Sequence, residues 1–464
     1  MIEVTAPSSK SFSHRYLIAA ALANGVSEIR NVLDADDTAC TREILSLAGA
    51  VFTPLENCPG GWRVQGTGGR LRGGKTDPLP CYVHESGTTC RLLSAVLASG
   101  RGAFRIHGAP RMHDRPIGVL VEALRAFGCD VTYEEKDGYP PFVLRTRGLD
   151  AEMLPAEEHL GRHTLAVSMA ESSQYFSGLL LACPQTDEIV TLTLGGSKVV
   201  SWPYIGLTLQ CMADFNIKFL VETRESTDED ADWELVDWRK LHSVKPGCLR
   251  IKVQPGYYRA GRFQVEGDWS GASYLVAAGA LGRERTTVLG MREDSLQGDR
   301  ALLDILEQMG ASLLCTKRDI SVVPRPLHGV TVDMSQCPDL VPTVAVLAAF
   351  ADGDTTITNV AHLRIKESDR IKAPATSLRS IGVHVEEHDD GLTIHGLGSD
   401  VRVNLAGVRL FANNDHRMAM SQALYSLRSN DVRPAEIFRQ IDNPQVVSKS
   451  FPNFWKTFEA FAND

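Results

Sequence analysis

The sequence predicts an α/β protein of two domains, each assembled from three copies of one helix–strand unit. Three observations predict it. An apolar, alanine-rich stretch that runs through a turn into a short β-type run occurs six times, beginning at Arg15 (RYLIAAALANGVSEI), Arg91 (RLLSAVLASGRGAFRI), Tyr175 (YFSGLLLACPQTDEIVTL), Ser273 (SYLVAAGALGRERTTVL), Val341 (VPTVAVLAAFADGDTTI) and Arg417 (RMAMSQALYSLRSNDVRPAEI). A second, amphipathic helix with its own β-run follows most copies. The chain has 464 residues, more than one hydrophobic core serves, so six copies divide into three and three.

Each first helix is announced by a short polar segment: SKSFSH, ESGTTC, ESSQ, GDWSGA, CPDL and NNDH in order. Ser, Thr, Asp and Asn satisfy free N–H groups at helix N-termini. The second helices read TREILSLAGAVF, GVLVEALRAFGCDVTY, LTLQCMADFNIKF, ALLDILEQMGASLLC and ATSLRSIGVHVEE. In them Gly49, Gly128, Gly310 and Gly382 stand where a C-cap glycine belongs, and Asn216 takes that place in the third. Spacing between copies exceeds the roughly 20–50-residue periods of solenoids. The boundary falls before Gly267, between the third copy and the fourth. An acidic segment, 222–247, interrupts the pattern there and reads as a solvated loop or hairpin insertion.

Composition excludes several classes. Hydrophobic content of 43% with 23% charged residues describes an ordinary folded protein. A net charge of −9 argues against a general nucleic-acid binder, though not against a local basic cleft for small anions. The start, MIEVTAPSSKSFSHR, has no signal-peptide pattern, and no apolar run is long enough to span a bilayer. Ten cysteines stand singly with no CxxC pair, which suits reduced packing thiols in a cytoplasm.

Chemistry gathers at the element ends. Lys10 and Arg15 flank hydroxyl residues at a helix start, combining positive charge with N–H and O–H donors. Glu85-Ser86-Gly87-Thr88-Thr89 opens the second helix, and Gly87 lets backbone approach a ligand. Arg111 to Pro116 (RMHDRP), Glu171 to Gln174 (ESSQ), Lys198 with Ser201 and Tyr204, Arg364 to Arg370 (RIKESDR), Asn414 to Arg417 (NDHR) and Lys449 continue the series. Any one is an ordinary surface charge cluster; their recurrence at equivalent ends points to an anionic ligand. Asp339 precedes an apolar helix and could be a plain N-cap, and Glu367 lies between Lys366 and Arg370 and could be a plain ion pair. Both could equally serve as general base and general acid. No GxxxxGK[ST], GxGxxG or HExxH pattern is present.

Together SKSFSHR, ESGTTCR, RMHDRPI, ESSQ, GDWSGASY, RIKESDR, NNDHRMAM and KSFPNFW resemble the 5-enolpyruvylshikimate-3-phosphate synthase (3-phosphoshikimate 1-carboxyvinyltransferase) family, in order from Lys10 to Trp455. The resemblance implies the enolpyruvyl transferase fold: a two-domain inside-out α/β barrel, each domain three βαβαββ repeats, with residues 9–266 in one and 1–8 plus 267–464 in the other. It implies transfer of the enolpyruvyl group of phosphoenolpyruvate to the 5-hydroxyl of shikimate 3-phosphate through a tetrahedral intermediate, with release of phosphate.

By the same resemblance Lys10, Ser11, Arg15, Ser172, Ser173, Gln174, Ser201, Tyr204, Asp339, His362 and Lys366 would hold shikimate 3-phosphate. Lys10, Gly87, Arg115, Gln174, Glu367, Arg370, His416, Arg417 and Lys449 would hold phosphoenolpyruvate. Asp339 would take the 5-hydroxyl proton, Glu367 would protonate the methylene carbon, and Lys10 would stabilise developing charge. No metal or cofactor is implied, and a cytoplasmic monomer without nucleic-acid or membrane partners is expected. Glu85, His362 and Pro7-Ser8-Ser9 depart from the family's usual Asn, Asn and Pro-Gly-Ser. Two other readings compete: a UDP-N-acetylglucosamine enolpyruvyl transferase, whose catalytic-cysteine loop is replaced here by GAPRMHDRPIG, and a non-catalytic anion-binding protein.

Overall fold

In the computed structural model, residues 1–155, 163–228 and 230–462 are described. They form two compact units, a contiguous one, Lys10–Val265, and a split one, Met1–Ser9 with Glu266–Asp464. The division falls one residue inside the sequence expectation at each crossing. Ser9 N–H donates to the Glu266 carbonyl at 2.8 Å, Asp268 N–H donates to the Pro7 carbonyl at 2.8 Å, and Ser8 pairs with Gly267. Gln297 accepts from Ser9 Oγ at 3.2 Å and donates to Glu266 Oε1 at 2.6 Å, fastening both crossings to the split unit.

The contiguous unit contains three sheets of one design. Their strand orders are Arg262–Gln264, Val26–Arg30, Trp62–Gln65, Val51–Pro54; then Leu79–Tyr82, Gly102–His107, Phe142–Thr146, Asp130–Tyr133; then Thr164–Met169, Val190–Val199, Leu249–Val253, Phe219–Thr223. In each, the first pair is parallel and the rest antiparallel. A parallel pair needs a crossover connection; helices Gly87–Ala98 and Gln174–Ala182 supply it in the second and third sheets, while Lys10–Leu22 leads into Val26–Arg30, whose parallel partner Arg262–Gln264 comes from the far end of the unit. All three helices are almost wholly buried, polar in their first turns and apolar beyond them, whereas the sheets keep one face wet, as in the alternating exposure of Val26–Arg30. Helices fill the interior and sheets lie outside them.

The split unit repeats the design in two sheets, Ile2–Thr5, Thr286–Leu289, Asp319–Val323, Ser312–Cys315 and Thr331–Asp333, Asp354–Thr358, Gly391–His395, His384–His388. Its third repeat is reduced to the isolated parallel bridges Val403–Ser429 and Leu410–Ile441. Side chains have taken ladder donors there: Asp431 accepts from the N–H groups of Leu405 and Ala406, and Asp442 from Ala412. The apolar helix Val341–Ala349 is fully buried, and Trp269–Leu281 and His416–Ala423 are buried except at Ser270 and Arg417.

Helix punctuation follows the sequence closely. Ser86, Asp268 and Asp415 cap their helices by accepting from the N–H of Thr89, Gly271 and Arg417. The cap positions Gly49, Gly128, Asn216, Gly310 and Gly382 all have left-handed φ, from 62° to 117°. The acidic insertion, whose position 229 lies outside the described residues, adds a short strand, Glu234–Leu235, that pairs with Glu222 and Thr223. Its Leu241 carbonyl accepts from Trp202 Nε1 at 2.9 Å.

Candidate active site

In the contiguous unit most of the site residues stand at the N-termini of the three buried helices, while Arg115 follows the short helix Pro110–His113 and Ser201 and Tyr204 lie at the start of helix Pro203–Asp214. Lys10 begins the first and forms an ion pair with Asp37 of helix Asp36–Leu47. One turn on, Arg15 is buried and bonded only to neutral oxygens. Its Nε donates to Thr208 Oγ1 at 2.8 Å, Nη1 to the Ser11 carbonyl at 3.0 Å, and Nη2 to the Tyr204 carbonyl at 3.1 Å and Ser177 Oγ at 3.3 Å. Among the described residues no carboxylate pairs with Arg15. Burial accordingly lowers its pKa to about 10, the mark of a desolvated cation without a counter-charge.

Gly87 opens the second helix beneath the guanidinium of Arg115. A Cβ added at Gly87 would lie 2.7 Å from Arg115 Cζ and 2.8 Å from Nη1, so only glycine leaves the arginine in place. Arg115 Nη1 donates to the Glu85 carbonyl at 3.1 Å. Gln174, first residue of the third helix, donates through Nε2 to Thr88 Oγ1 at 2.9 Å and accepts from Arg91 at 3.0 Å. Arg91 also donates to the Pro116 carbonyl, as does the Tyr175 hydroxyl at 2.6 Å, which latches the Arg115 loop. Ser172 and Ser173 are buried, with Ser172 Oγ accepting from Gln174 N–H at 3.2 Å. Ser201 adopts φ of 57° and accepts through its carbonyl from Tyr204 N–H.

A buried chain of polar groups runs behind these residues: His14 Nδ1 to Thr41 Oγ1, Thr41 Oγ1 to Thr89 Oγ1, and Thr89 Oγ1 to Ser86 Oγ, each 2.8 Å. It joins the helices of Lys10, Asp37 and Gly87. Burial, followed by the charge of Lys10, lowers the His14 pKa to about 3, so the imidazole is neutral.

The split unit gathers the remaining acids and bases around Arg370, which is 2% exposed. Asp339 is not an N-cap: its carboxylate accepts from Arg370 Nη1 at 2.9 Å and from Arg417 Nη2 at 2.7 Å. Glu367 pairs with Arg370 Nη2 at 2.9 Å. Asp415, fully buried, takes Arg370 Nε at 2.7 Å and Nη2 at 3.0 Å, and also accepts from Ser368. His416 is buried, with Nδ1 3.8 Å from Asp415, and Lys449 Nζ donates to the Asn414 carbonyl at 3.0 Å. His362 is buried in the turn Ala361–Ile365, and Lys366 follows that turn. Asp299 completes the group; Ser270 donates to it, while burial and then the charge of Asp339 raise its pKa to about 7.

Asp37, Arg91, Asp299 and Asp415 received no role from the sequence. Asp415 stood in view inside NNDHR, as Arg91 did inside ESGTTCR; Asp37 and Asp299 carry no local pattern that marks them.

The EPSP synthase (3-phosphoshikimate 1-carboxyvinyltransferase) family model matches residues 2–229 and 243–458, and the interval between them lies within the acidic insertion. A 3-phosphoshikimate 1-carboxyvinyltransferase of Methanosphaerula palustris is 38% identical over 98% of this chain and 96% of its own. The protein of that name in a Marinomonas species is 34% identical over 99% and 97%. In fold, the chain is similar to the EPSP synthase of Acinetobacter baumannii, with a TM-score of 0.72 at 23% identity over 99% of this chain and 95% of that one. It is also similar to the enolpyruvyl transferase NikO of Streptomyces tendae, with a TM-score of 0.70 at 16% identity over 99% and 94%.

Proposed function

Because the chain belongs to the EPSP synthase (3-phosphoshikimate 1-carboxyvinyltransferase) family, we propose that both clusters serve one reaction, cations of both units binding the anionic substrates and the two acids of the split unit transferring protons. The protein is a 3-phosphoshikimate 1-carboxyvinyltransferase. It moves the enolpyruvyl group of phosphoenolpyruvate to the 5-hydroxyl of shikimate 3-phosphate and releases phosphate.

In this reading Arg15 holds shikimate 3-phosphate with Ser11, Ser172, Ser173, Gln174, Ser201 and Tyr204, and with His362 and Lys366 of the split unit. A buried guanidinium surrounded by neutral oxygens retains its full charge for an anion. Arg115 above Gly87, together with Lys10, Gln174, Arg370, His416, Arg417 and Lys449, holds phosphoenolpyruvate. Asp339 takes the proton of the 5-hydroxyl as its oxygen bonds to the central carbon, and Glu367 delivers a proton to the methylene carbon. Elimination then returns a proton from that methyl group to the Glu367 carboxylate as the C–O bond to phosphate breaks and phosphate leaves, with Lys10 opposite the developing negative charge. Arg370 and Arg417 hold the Asp339 carboxylate in place through hydrogen bonds of 2.9 and 2.7 Å. The same reading places the enzyme in the cytoplasm as a monomer; its ten free thiols support a reducing compartment.

The observation that carries these roles is the sharing of one buried guanidinium, Arg370, by both acids, since a protein that only bound anions would not spend its cations on carboxylates. Asp339→Ala and Glu367→Gln are expected to retain shikimate 3-phosphate binding by calorimetry and to lose about 10²–10⁴-fold in turnover. Loss of binding with turnover preserved at saturation would reassign both acids to binding. Phosphate release with UDP-N-acetylglucosamine instead of shikimate 3-phosphate would overturn the activity itself.

A further inference from the structure

The second sheet of the split unit has two faces of different chemistry. Strand pairing sets Asp354 beside His395 and His395 beside His384, with Thr356, Thr393 and Glu386 in the next row. Because side chains alternate along a strand, these residues share one face, while Thr355, Ile357, Leu392, Ile394 and Val385 point into the core. His384 and Glu386 are exposed and His395 is partly so. One ligand atom from each of these three residues lies within 4.8 Å of the others. The His384 and His395 rings are stacked with centroids 4.6 Å apart. His395 Nδ1 is 2.9 Å from Asp354 Oδ1, and its Nε2 is 3.2 Å from Glu386 Oε1.

We propose that His384, Glu386 and His395 form a surface site for a divalent transition-metal ion, with Asp354 orienting His395 from behind. Two imidazoles and one carboxylate suit zinc, cobalt, nickel or copper, and disfavour magnesium and calcium, which prefer oxygen donors. The bond between His395 Nδ1–H and Asp354 is the carboxylate–histidine arrangement that fixes a ligating imidazole and directs its Nε2 outward. A metal ion binds Nε2 of the neutral ring and Glu386 Oε1 where these two now share a hydrogen bond; the proton goes to solvent. None of the four residues belongs to the machinery of transfer.

Cobalt(II) titration of the whole protein tests the site, because coordinated cobalt absorbs in the visible and zinc displaces it. One equivalent is expected to bind, insensitive to millimolar magnesium. His384→Ala and Glu386→Gln should each weaken binding at least about tenfold, and Asp354→Asn about tenfold through loss of ring orientation. All three positions lie on the outer face, so circular dichroism should be unchanged. Equal cobalt binding by the parent and His384→Ala, or no binding by the parent at millimolar cobalt, would overturn the proposal.

Discussion

Arg15 and Arg370 are both buried guanidiniums, one in each unit, and their surroundings are opposite. Arg15 meets four neutral oxygens and no carboxylate, whereas Arg370 meets Asp339, Glu367 and Asp415. Burial lowers the pKa of the first, while the three acids drive that of the second upward. A charge bonded to dipoles alone costs stability and remains available to an anion. A charge enclosed by acids is largely satisfied internally, and it organises them as well as meeting phosphoenolpyruvate. The same residue type thus builds a binding group in one place and a scaffold for proton transfer in the other.

The contrast breaks most visibly when each arginine is replaced by methionine, which keeps bulk without charge. Arg370→Met leaves three carboxylates without their shared partner and should cost about 3–5 kcal/mol, a fall in Tm on the order of 10 °C with loss of turnover. Arg15→Met should lower Tm by no more than a few degrees, since Ser11 and Tyr204 carbonyls keep other donors, yet weaken shikimate 3-phosphate about a hundredfold or more, the worth of two charged hydrogen bonds. Equal losses of Tm in the two variants would erase the distinction.

Gly87→Ala tests the binding side more gently. Its methyl group must push the Arg115 guanidinium aside, so inhibition by glyphosate, which the family takes at its phosphoenolpyruvate site, should weaken about tenfold, roughly 1.4 kcal/mol, and more than turnover does. Equal inhibition of variant and parent would refute this. The smallest effect concerns the surplus of acid around Arg370. The pKa of Asp299, about 7, lies above its ordinary value near 3.9, so the native protein holds a proton that the unfolded chain has released. Its stability is therefore lost as pH rises from about 4 to about 7. Asp299→Asn escapes that loss, and its Tm relative to the parent should be higher at pH 8 than at pH 5. A Tm difference independent of pH would show that Asp299 is charged in the folded protein.

What was legible in the sequence was local. Ser86, Asp268 and Asp415 cap the helices they precede, and Gly49 and Asn216 end theirs, because capping depends on residues within a turn. The motifs also put Lys10, Arg15, Gly87, Gln174 and Arg417 at helix starts. The partners were not legible. Asp37 on Lys10, Thr208 on Arg15 and Arg91 on Gln174 come from other elements, 27, 193 and 83 residues away respectively, and no local pattern records such meetings. Asp339 sat where a cap is expected and instead spends its carboxylate on two arginines. The sixth repeat was already a weaker copy in sequence, with no second helix to follow it, and in the structure Asp431 and Asp442 take backbone donors where the other repeats form a ladder.

One topological detail bears on how the chain reaches this state. The strand Ile2–Thr5 precedes the first helix of the contiguous unit yet pairs with Thr286–Leu289, while Arg262–Gln264 returns to complete the sheet begun by Val26–Arg30. A ribosome therefore finishes every strand of one unit before the other can close its first sheet. The opening strand must wait, unpaired, until residue 289 has emerged, and the Lys10–Val265 segment becomes the natural first product of co-translational folding. Ser9 and Glu266, which adjoin the two ends of that segment and belong to the split unit, are hydrogen-bonded to each other. A segment already folded therefore removes most of the loop-closure entropy the late pairing would otherwise face.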